Sequence, residues 1–223
     1  MPIPLPGSVK AYVFDAYGTL FNVSSAVMRH AGEIGKDAAS FSALWRQKQL
    51  EYSWILSLSG RFCDFWTLTQ CALDYAFASH PGVDKALHAR LLAAYRELDA
   101  YPEVPAVLRQ LRGQGFRTAI LSNGEPQMLA DAVSSAGIAD LLDQVFSVSS
   151  VGVFKTDRRA YAQILGPLAA EPSEIAFVSS NRWDVAGAAA FGLIPIWVNR
   201  SGAPDEYADL APIAVVRTLD EVC

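Results

Sequence analysis

Cysteine is scarce in this 223-residue chain, with Cys63, Cys71 and Cys223 scattered along it. That number and spacing exclude a disulfide framework and a CxxC metal site, and they fit free, buried thiols in a reducing cytoplasm. Charge is thin as well, at 18% of residues, and 18 Lys and Arg against 23 Asp and Glu leave a net charge of −5. A surface of that sign does not attract nucleic acid or an anionic membrane, so neither is an expected partner. A small anionic ligand would have to be drawn in by a few well-placed cations. No apolar run reaches the roughly 18 residues of a membrane span. The longest uncharged stretch, residues 185–198, is interrupted by Gly187, Gly192 and Pro195. Residues 1–7 lack the basic and apolar regions of a signal peptide. Also missing are a GxxxxGK[ST] phosphate loop and a GxGxxG fingerprint. Gly113-Gln114-Gly115 reads as a helix stop.

What is there is a hydrophobic fraction of 52%, enough for a sizeable core. Short β-rich runs punctuate it: residues 11–14, 118–121, 145–148, 175–178 and 194–198. Their lack of alternation predicts strands buried on both faces. Helical patterns lie between them. Val104, Val107, Leu108 and Leu111 share one helix face, and Pro126 opens a helix striped by Met128, Leu129 and Val133 and stopped by Gly137. The βαβα alternation from about residue 100 predicts a parallel sheet covered by helices on both sides. Residues 20–100 carry only helical spacing, through Leu44, Trp45, Leu50, Trp54 and Leu58, then Phe65, Leu68, Ala72 and Tyr75, then Leu87, Leu91 and Tyr95. A helical block inserted after the first strand is expected to cap that strand's carboxyl end, where α/β folds bind ligands. Trp45, Trp54 and Trp66 are expected in the core of that cap.

Several strands end in polar residues. Asp15 follows the first run, and a carboxylate there is a nucleophile, a metal ligand or a helix cap. Ser122 and Asn123 precede Gly124 and a helix N-terminus, an anion cradle. Lys155 follows Val153-Phe154, and Ser179, Asn181 and Asp184 follow the fourth run. Together they suggest a catalytic floor. His30, His80 and His88 all lie in the helical block, which argues against a Ser-His-Asp or Cys-His arrangement.

Asp15-Ala16-Tyr17-Gly18-Thr19-Leu20, Ser122-Asn123, Lys155 and Ser179-Ser180-Asn181-Arg182-Trp183-Asp184 resemble, in that order, the four motifs of the haloacid dehalogenase superfamily. Within it, Leu44-Trp45-Arg46-Gln47-Lys48-Gln49-Leu50-Glu51-Tyr52 resembles the (S)-2-haloacid dehalogenases, and the likeness covers nearly the whole chain. The resemblance implies an α/β, Rossmann-like core of residues 1–19 and 101–223 with an all-helical cap of residues 20–100. It implies Asp15 as nucleophile on a short (S)-2-haloacid, an aspartyl ester, and release of halide and an (R)-2-hydroxyacid. Lys155 would keep Asp15 ionised; Thr19, Ser179, Asn181 and Asp184 would position Asp15, the lysine and the hydrolytic water, with the group that takes the water's proton left open. Arg46 and Asn123 would bind the leaving halide, and Ser122 with the amides near Ala16 and Tyr17 the substrate carboxylate. Leu50 and Phe65 would wall the alkyl group. Tyr161 and Trp183 match pocket positions, although Tyr161 also reads as plain helix core. A cytoplasmic homodimer without metal or cofactor is implied.

The rivals are a phosphatase or other small-acid hydrolase of the same superfamily, and a silent binding protein that kept the fold. Phosphatases of the superfamily carry Asp-x-Asp in the first motif; Tyr17, with a reference pKa of ~10, cannot replace that second carboxylate near neutrality. The last motif offers few carboxylates for Mg²⁺, and Lys155 stands beside them. Thr156 replaces the family's usual proline, which is expected to leave the approach of Lys155 less rigid, and Asn22 replaces a usual acid.

Overall fold

The computed structural model of the chain describes Ile3 and residues 5–223; Met1, Pro2 and Pro4, part of the stretch read for a leader, lie outside the described residues. Six strands form one all-parallel sheet: β1 (Ala11–Phe14), β2 (Arg117–Ser122), β3 (Gln144–Ser147), β4 (Ile175–Ser179), β5 (Ile194–Val198) and β6 (Ala214–Val216). Their order is β3-β2-β1-β4-β5-β6, so the first strand sits at the centre, with the sheet growing outward on both sides of it. Phe14 pairs in register with Ile120 on one side and Val178 on the other. Asp15, just past β1, therefore stands level with Leu121 and Ser179. One sheet edge collects Asp15, Ser122-Asn123 and Ser179-Asn181.

Helices α1 (Ser25–Met28), α2 (Ala31–Ile34), α3 (Ala38–Leu58), α4 (Phe65–Ser79) and α5 (His88–Arg96) are all inserted between β1 and β2. α6 (Val104–Gly113) then returns the chain to the sheet. The insertion leaves and rejoins at one place: Asn22 N–H donates to Asp99 O at 2.8 Å and Tyr101 N–H to Leu20 O at 2.9 Å. α7 (Pro126–Ser135), α8 (Arg158–Ala162), α9 (Leu165–Leu168) and α10 (Arg182–Phe191) complete the crossovers. Local chemistry explains the boundaries. Pro126 occupies the first position of α7, and Gly115 and Gly137 take left-handed φ of +88° and +62° where α6 and α7 end. Asp64 caps α4 by accepting from Thr67 N–H at 2.7 Å.

Four expectations from the sequence are corrected. β3 is an edge strand, so Gln144 and Val145 are exposed rather than buried on both faces, and Val148 falls beyond it. β6 gave no signal, being three residues long and only partly covered. Trp54 is not cap core: it is 37% exposed, because α3 buries the Phe41, Trp45, Gln49 and Ser53 stripe instead. Trp66 is only half-buried, with the Arg96 guanidinium 4.0 Å over its ring. The thiols are free, but Cys71 is exposed, and Cys63 and Cys223 are half-buried. No helix among the described residues is long and apolar enough to cross a membrane.

Candidate active site

Asp15 is buried at the head of the central strand, and its backbone N–H donates to Val178 O at 2.9 Å, which locks the residue to β4. Its two oxygens are treated differently. Oδ2 accepts from Asn181 Nδ2 at 2.7 Å, Thr19 Oγ1 at 3.2 Å and Ser179 Oγ at 3.4 Å. Among the described residues Oδ1 accepts only from Lys155 Nζ, at 3.1 Å. One oxygen is thus pinned by three donors while the other keeps free lone pairs. Thr19 is itself fixed by the Ser180 N–H, which donates to its Oγ1 at 2.8 Å. Asn181 is the N-cap residue of α10; its side chain makes no cap bond, and Nδ2 donates to Asp15 and to Tyr17 O. The bond to Asp15 places the N-terminal cap of α10 beside the carboxylate.

Lys155 Nζ also donates to Asp184 Oδ2 at 2.8 Å, and Tyr161 Oη donates to Asp184 Oδ1 at 2.7 Å. All three side chains are essentially fully buried. One ammonium is shared by two carboxylates, leaving an excess negative charge in a dry site. Burial alone would lower the pKa of Lys155, but the attraction of Asp15 and Asp184 outweighs it and raises it. The excess falls on Asp184: burial first, and then the charge of Asp15, push its carboxyl up to about 6 in spite of Lys155. Burial, with the Asp184 charge behind it, holds the Tyr161 phenol well above its ordinary range, so it remains a donor. The Tyr17 phenol is likewise pushed far up by burial and by Tyr95, and its hydroxyl has no partner among the described residues.

The approach of Lys155 is held at both ends. Its backbone N–H donates to Asn123 Oδ1 at 2.9 Å, and the following peptide, to Thr156, is cis. Asn22, in place of an acid, accepts from Ser24 N–H and Oγ and closes a turn. The cap reaches the floor through α3. Arg46 Nη2 donates to Tyr17 O at 3.3 Å, and Leu50, one turn on, shares its helix face. Buried Phe65 lies 6.4 Å from the Tyr17 ring and 5.9 Å from the Phe154 ring. The Ala16 and Tyr17 N–H groups have no acceptor among the described residues, whereas Ser122 Oγ accepts from Gly124 N–H at 3.1 Å.

The structure therefore brings Asp15, Thr19, Lys155, Tyr161, Ser179, Asn181 and Asp184 into one bonded network, with Arg46 and Asn123 attached through backbone contacts. Trp183 stands apart, edge-to-face with Trp54 at 5.6 Å. Sequence reasoning missed Ser180, whose N–H fixes Thr19, and the buried Gln49, which accepts from Tyr95 Oη at 3.2 Å and donates to Thr69 Oγ1 at 2.9 Å. Gln49 sits one i,i+4 step beyond Trp45, a position that marks the helix's inner face. The three histidines stay on the cap surface, paired with Glu33, Ser40 and Asp74. No cluster of three potential metal ligands exists among the described residues.

The haloacid dehalogenase-like hydrolase family model matches residues 9–192. The (S)-2-haloacid dehalogenase 1 of Pseudomonas sp. strain CBS-3 is 48% identical over 201 residues, covering 90% of this chain and 88% of its own. A crystal structure of a dehalogenase superposes with a TM-score of 0.95 at 42% identity, over 98% of this chain and 97% of that one. The L-2-haloacid dehalogenase from Xanthobacter autotrophicus with chloropropionic acid covalently bound superposes with a TM-score of 0.84 at 36% identity, over 96% of each chain.

Proposed function

This chain belongs to the haloacid dehalogenase-like hydrolase family, and from that premise we propose that it hydrolyses short (S)-2-haloalkanoic acids to (R)-2-hydroxyalkanoic acids and halide. The carrying observation is the pairing of Lys155 with both Asp15 and Asp184, beside a first motif whose second acid is replaced by a neutral, buried Tyr17. A nucleophilic carboxylate is present, and the leaving-group acid of a phosphatase is not.

Asp15 Oδ1, with one donor, attacks C2 of the substrate; the carbon–halogen bond breaks with its electron pair and an ester forms with inversion. The halide departs toward Arg46 and the Asn123 amide. The substrate carboxylate sits on the free N–H groups of Ala16 and Tyr17 and near Ser122. Oδ2 becomes the ester carbonyl oxygen, and Asn181, Thr19 and Ser179 already point at it. These donors stabilise the oxyanion when water attacks Cγ. Asp184, pushed up to about 6, is poised to take the proton of that water. Collapse releases the (R)-2-hydroxyacid and restores Asp15. Lys155 occupies the position between the two carboxylates that a divalent cation would need, which supports a metal-independent reaction.

Residues 20–100 serve as the cap over this chemistry. Homodimerisation in the cytoplasm fits its apolar outer face, where Ile55 and Leu58 are 59% and 87% exposed; light scattering behind a sizing column tests it. The deciding experiment for function is halide release from (S)-2-chloropropionate in EDTA, with mass spectrometry of the peptide containing Asp15. Activity confined to phosphate esters and dependent on Mg²⁺ would overturn the reading.

A further inference from the structure

Arg46 brings a cation from the cap to the floor that carries Asp15, and on the floor side it is loosely held. Its Nη2 donates to Tyr17 O at 3.3 Å, a carbonyl that Asn181 Nδ2 also uses at 3.2 Å. A long side chain with several rotatable bonds needs a further anchor to stay in one place. The interior of the cap supplies one, through a chain of buried hydrogen bonds whose direction is fixed at its far end. Phe65 O is a backbone carbonyl and can only accept, so Thr69 Oγ1 gives it its single proton, at 2.8 Å. That oxygen then has only lone pairs for Gln49, whose Nε2 donates to it at 2.9 Å. The Gln49 amide is thereby oriented, and its Oε1 accepts the Tyr95 phenol proton at 3.2 Å. Thr69, Gln49 and Tyr95 are at most 1% exposed, so water offers them no alternative partners.

With its proton committed to Gln49, the Tyr95 oxygen presents only lone pairs to any other neighbour. Arg46 is that neighbour. Burial pushes the Tyr95 phenol up, and the Arg46 charge pulls it back, its side chain also sharing a hydrogen bond with the phenol. The Tyr95 ring is stacked on that of Tyr17 at 5.8 Å, so both contacts of Arg46 belong to one stacked pair.

We propose that Tyr95 is a positioning residue for the reaction: its acceptor-only oxygen holds the Arg46 guanidinium over the Asp15 floor, where the leaving halide gathers charge. The inference rests on the dehalogenase reading above, with Arg46 as halide donor, and adds Tyr95, Gln49 and Thr69, which act through Arg46. The chain draws on α3, α4 and α5 together, so the cap as a unit fixes the cation that carbon–halogen cleavage needs.

Tyr95→Phe removes one oxygen and keeps the ring. In a single turnover of (S)-2-chloropropionate followed by rapid quench, it slows halide release about tenfold or more, as loss of a hydrogen bond to a charged group implies. In an Arg46→Met background, where no cation remains to be held, the same substitution changes halide release less than twofold; a merely structural defect would slow both backgrounds by the same factor. Halide release within twofold of wild type in Tyr95→Phe overturns the proposal, and so does an undiminished effect in the Arg46→Met background. Thr69→Val and Thr69→Ser test the far end of the chain, and they decide alone should Tyr95→Phe not fold. The valine slows halide release and the serine, which keeps the hydroxyl, brings it back to within twofold of wild type. Equal rates in these two variants overturn the chain as the source of the tyrosine's orientation. No halide from the unaltered protein removes the dehalogenase reading itself, a distinguishable failure.

Discussion

Replacing Asp184 by Asn separates the two half-reactions and tests the charge arrangement at once. In the native site Asp184 shares Lys155 with Asp15 and carries the excess charge, so its carboxyl is raised from 3.8 to about 6. A carboxyl raised on folding holds a proton that the unfolded chain has already lost. Its stabilising contribution is therefore complete below about pH 4 and disappears as pH rises through about 6. The interval corresponds to roughly 3 kcal/mol. Asn cannot ionise, so the variant lacks this dependence. Between pH 4 and 7 its stability should improve relative to wild type by up to about 3 kcal/mol, on top of a constant offset from mismatching Asn with two donors. Urea unfolding at several pH values measures that slope. Catalysis should move the other way. Attack on C2 needs Asp15 and the halide donors, which the substitution leaves in place, whereas ester hydrolysis loses its proton acceptor, worth about 10²- to 10⁴-fold. One equivalent of halide per enzyme should appear in a burst, followed by slow turnover, with the ester recoverable on Asp15. In wild type the same group predicts an acidic limb of kcat near pH 6. Steady turnover within tenfold of wild type, without a burst, would refute both the assignment of Asp184 and the charge argument beneath it.

Three other substitutions probe neighbouring parts. Arg46→Gln keeps a donor near Tyr17 O but removes the cation proposed to meet the departing halide; loss of one such group lowers the rate of ester formation about 10²- to 10³-fold, read as slower halide release in a single turnover by rapid quench. Arg200→Met breaks a clamp on the cap's two connections. Arg200 Nη2 donates to Thr19 O at 2.9 Å, Nη1 pairs with Glu103 at 2.7 Å, and the guanidinium lies 3.6 Å over Tyr101. Unpairing the well-covered Glu103 should cost about 3 kcal/mol, a fall in melting temperature of roughly 6–12 °C. Gly124→Ala would place a Cβ 2.7 Å from Tyr17 Cε2 and 3.1 Å from its hydroxyl; overpacking there should destabilise by about 1–3 kcal/mol in urea unfolding.

Where chemistry was legible in the sequence, it was because a parallel strand ends at a defined edge. A polar residue directly after an apolar run can only face the crevice beyond the carboxyl ends, so Asp15, Ser122 and Ser179 announced themselves without any tertiary information. Helix punctuation was similarly local: Pro126 fixes its own φ, and Gly115 and Gly137 permit the left-handed φ that ends a helix without a side-chain penalty. Trp54 illustrates the opposite. Apolar spacing along α3 ran through Leu44, Trp45, Leu50, Trp54 and Leu58, but the stripe that is buried contains Gln49 and Ser53. Gln49 is tolerated inside because Tyr95 of α5 and Thr69 of α4 satisfy it, and those partners come from elements far along the chain. β3 misled for a related reason: burial on both faces depends on the position of a strand in the sheet, which no run of residues encodes.

The sequence by itself determined the order of the candidate polar groups and the sheet edge that presents them, since these follow from residue type and short-range periodicity. Only the tertiary structure decided that Lys155, 140 residues from Asp15, bonds to one oxygen of that carboxylate while three donors hold the other. It also decided that Asp184 bears the surplus charge. Distances and desolvation arise from packing between remote segments, and they separate a motif from a site whose two oxygens have different tasks.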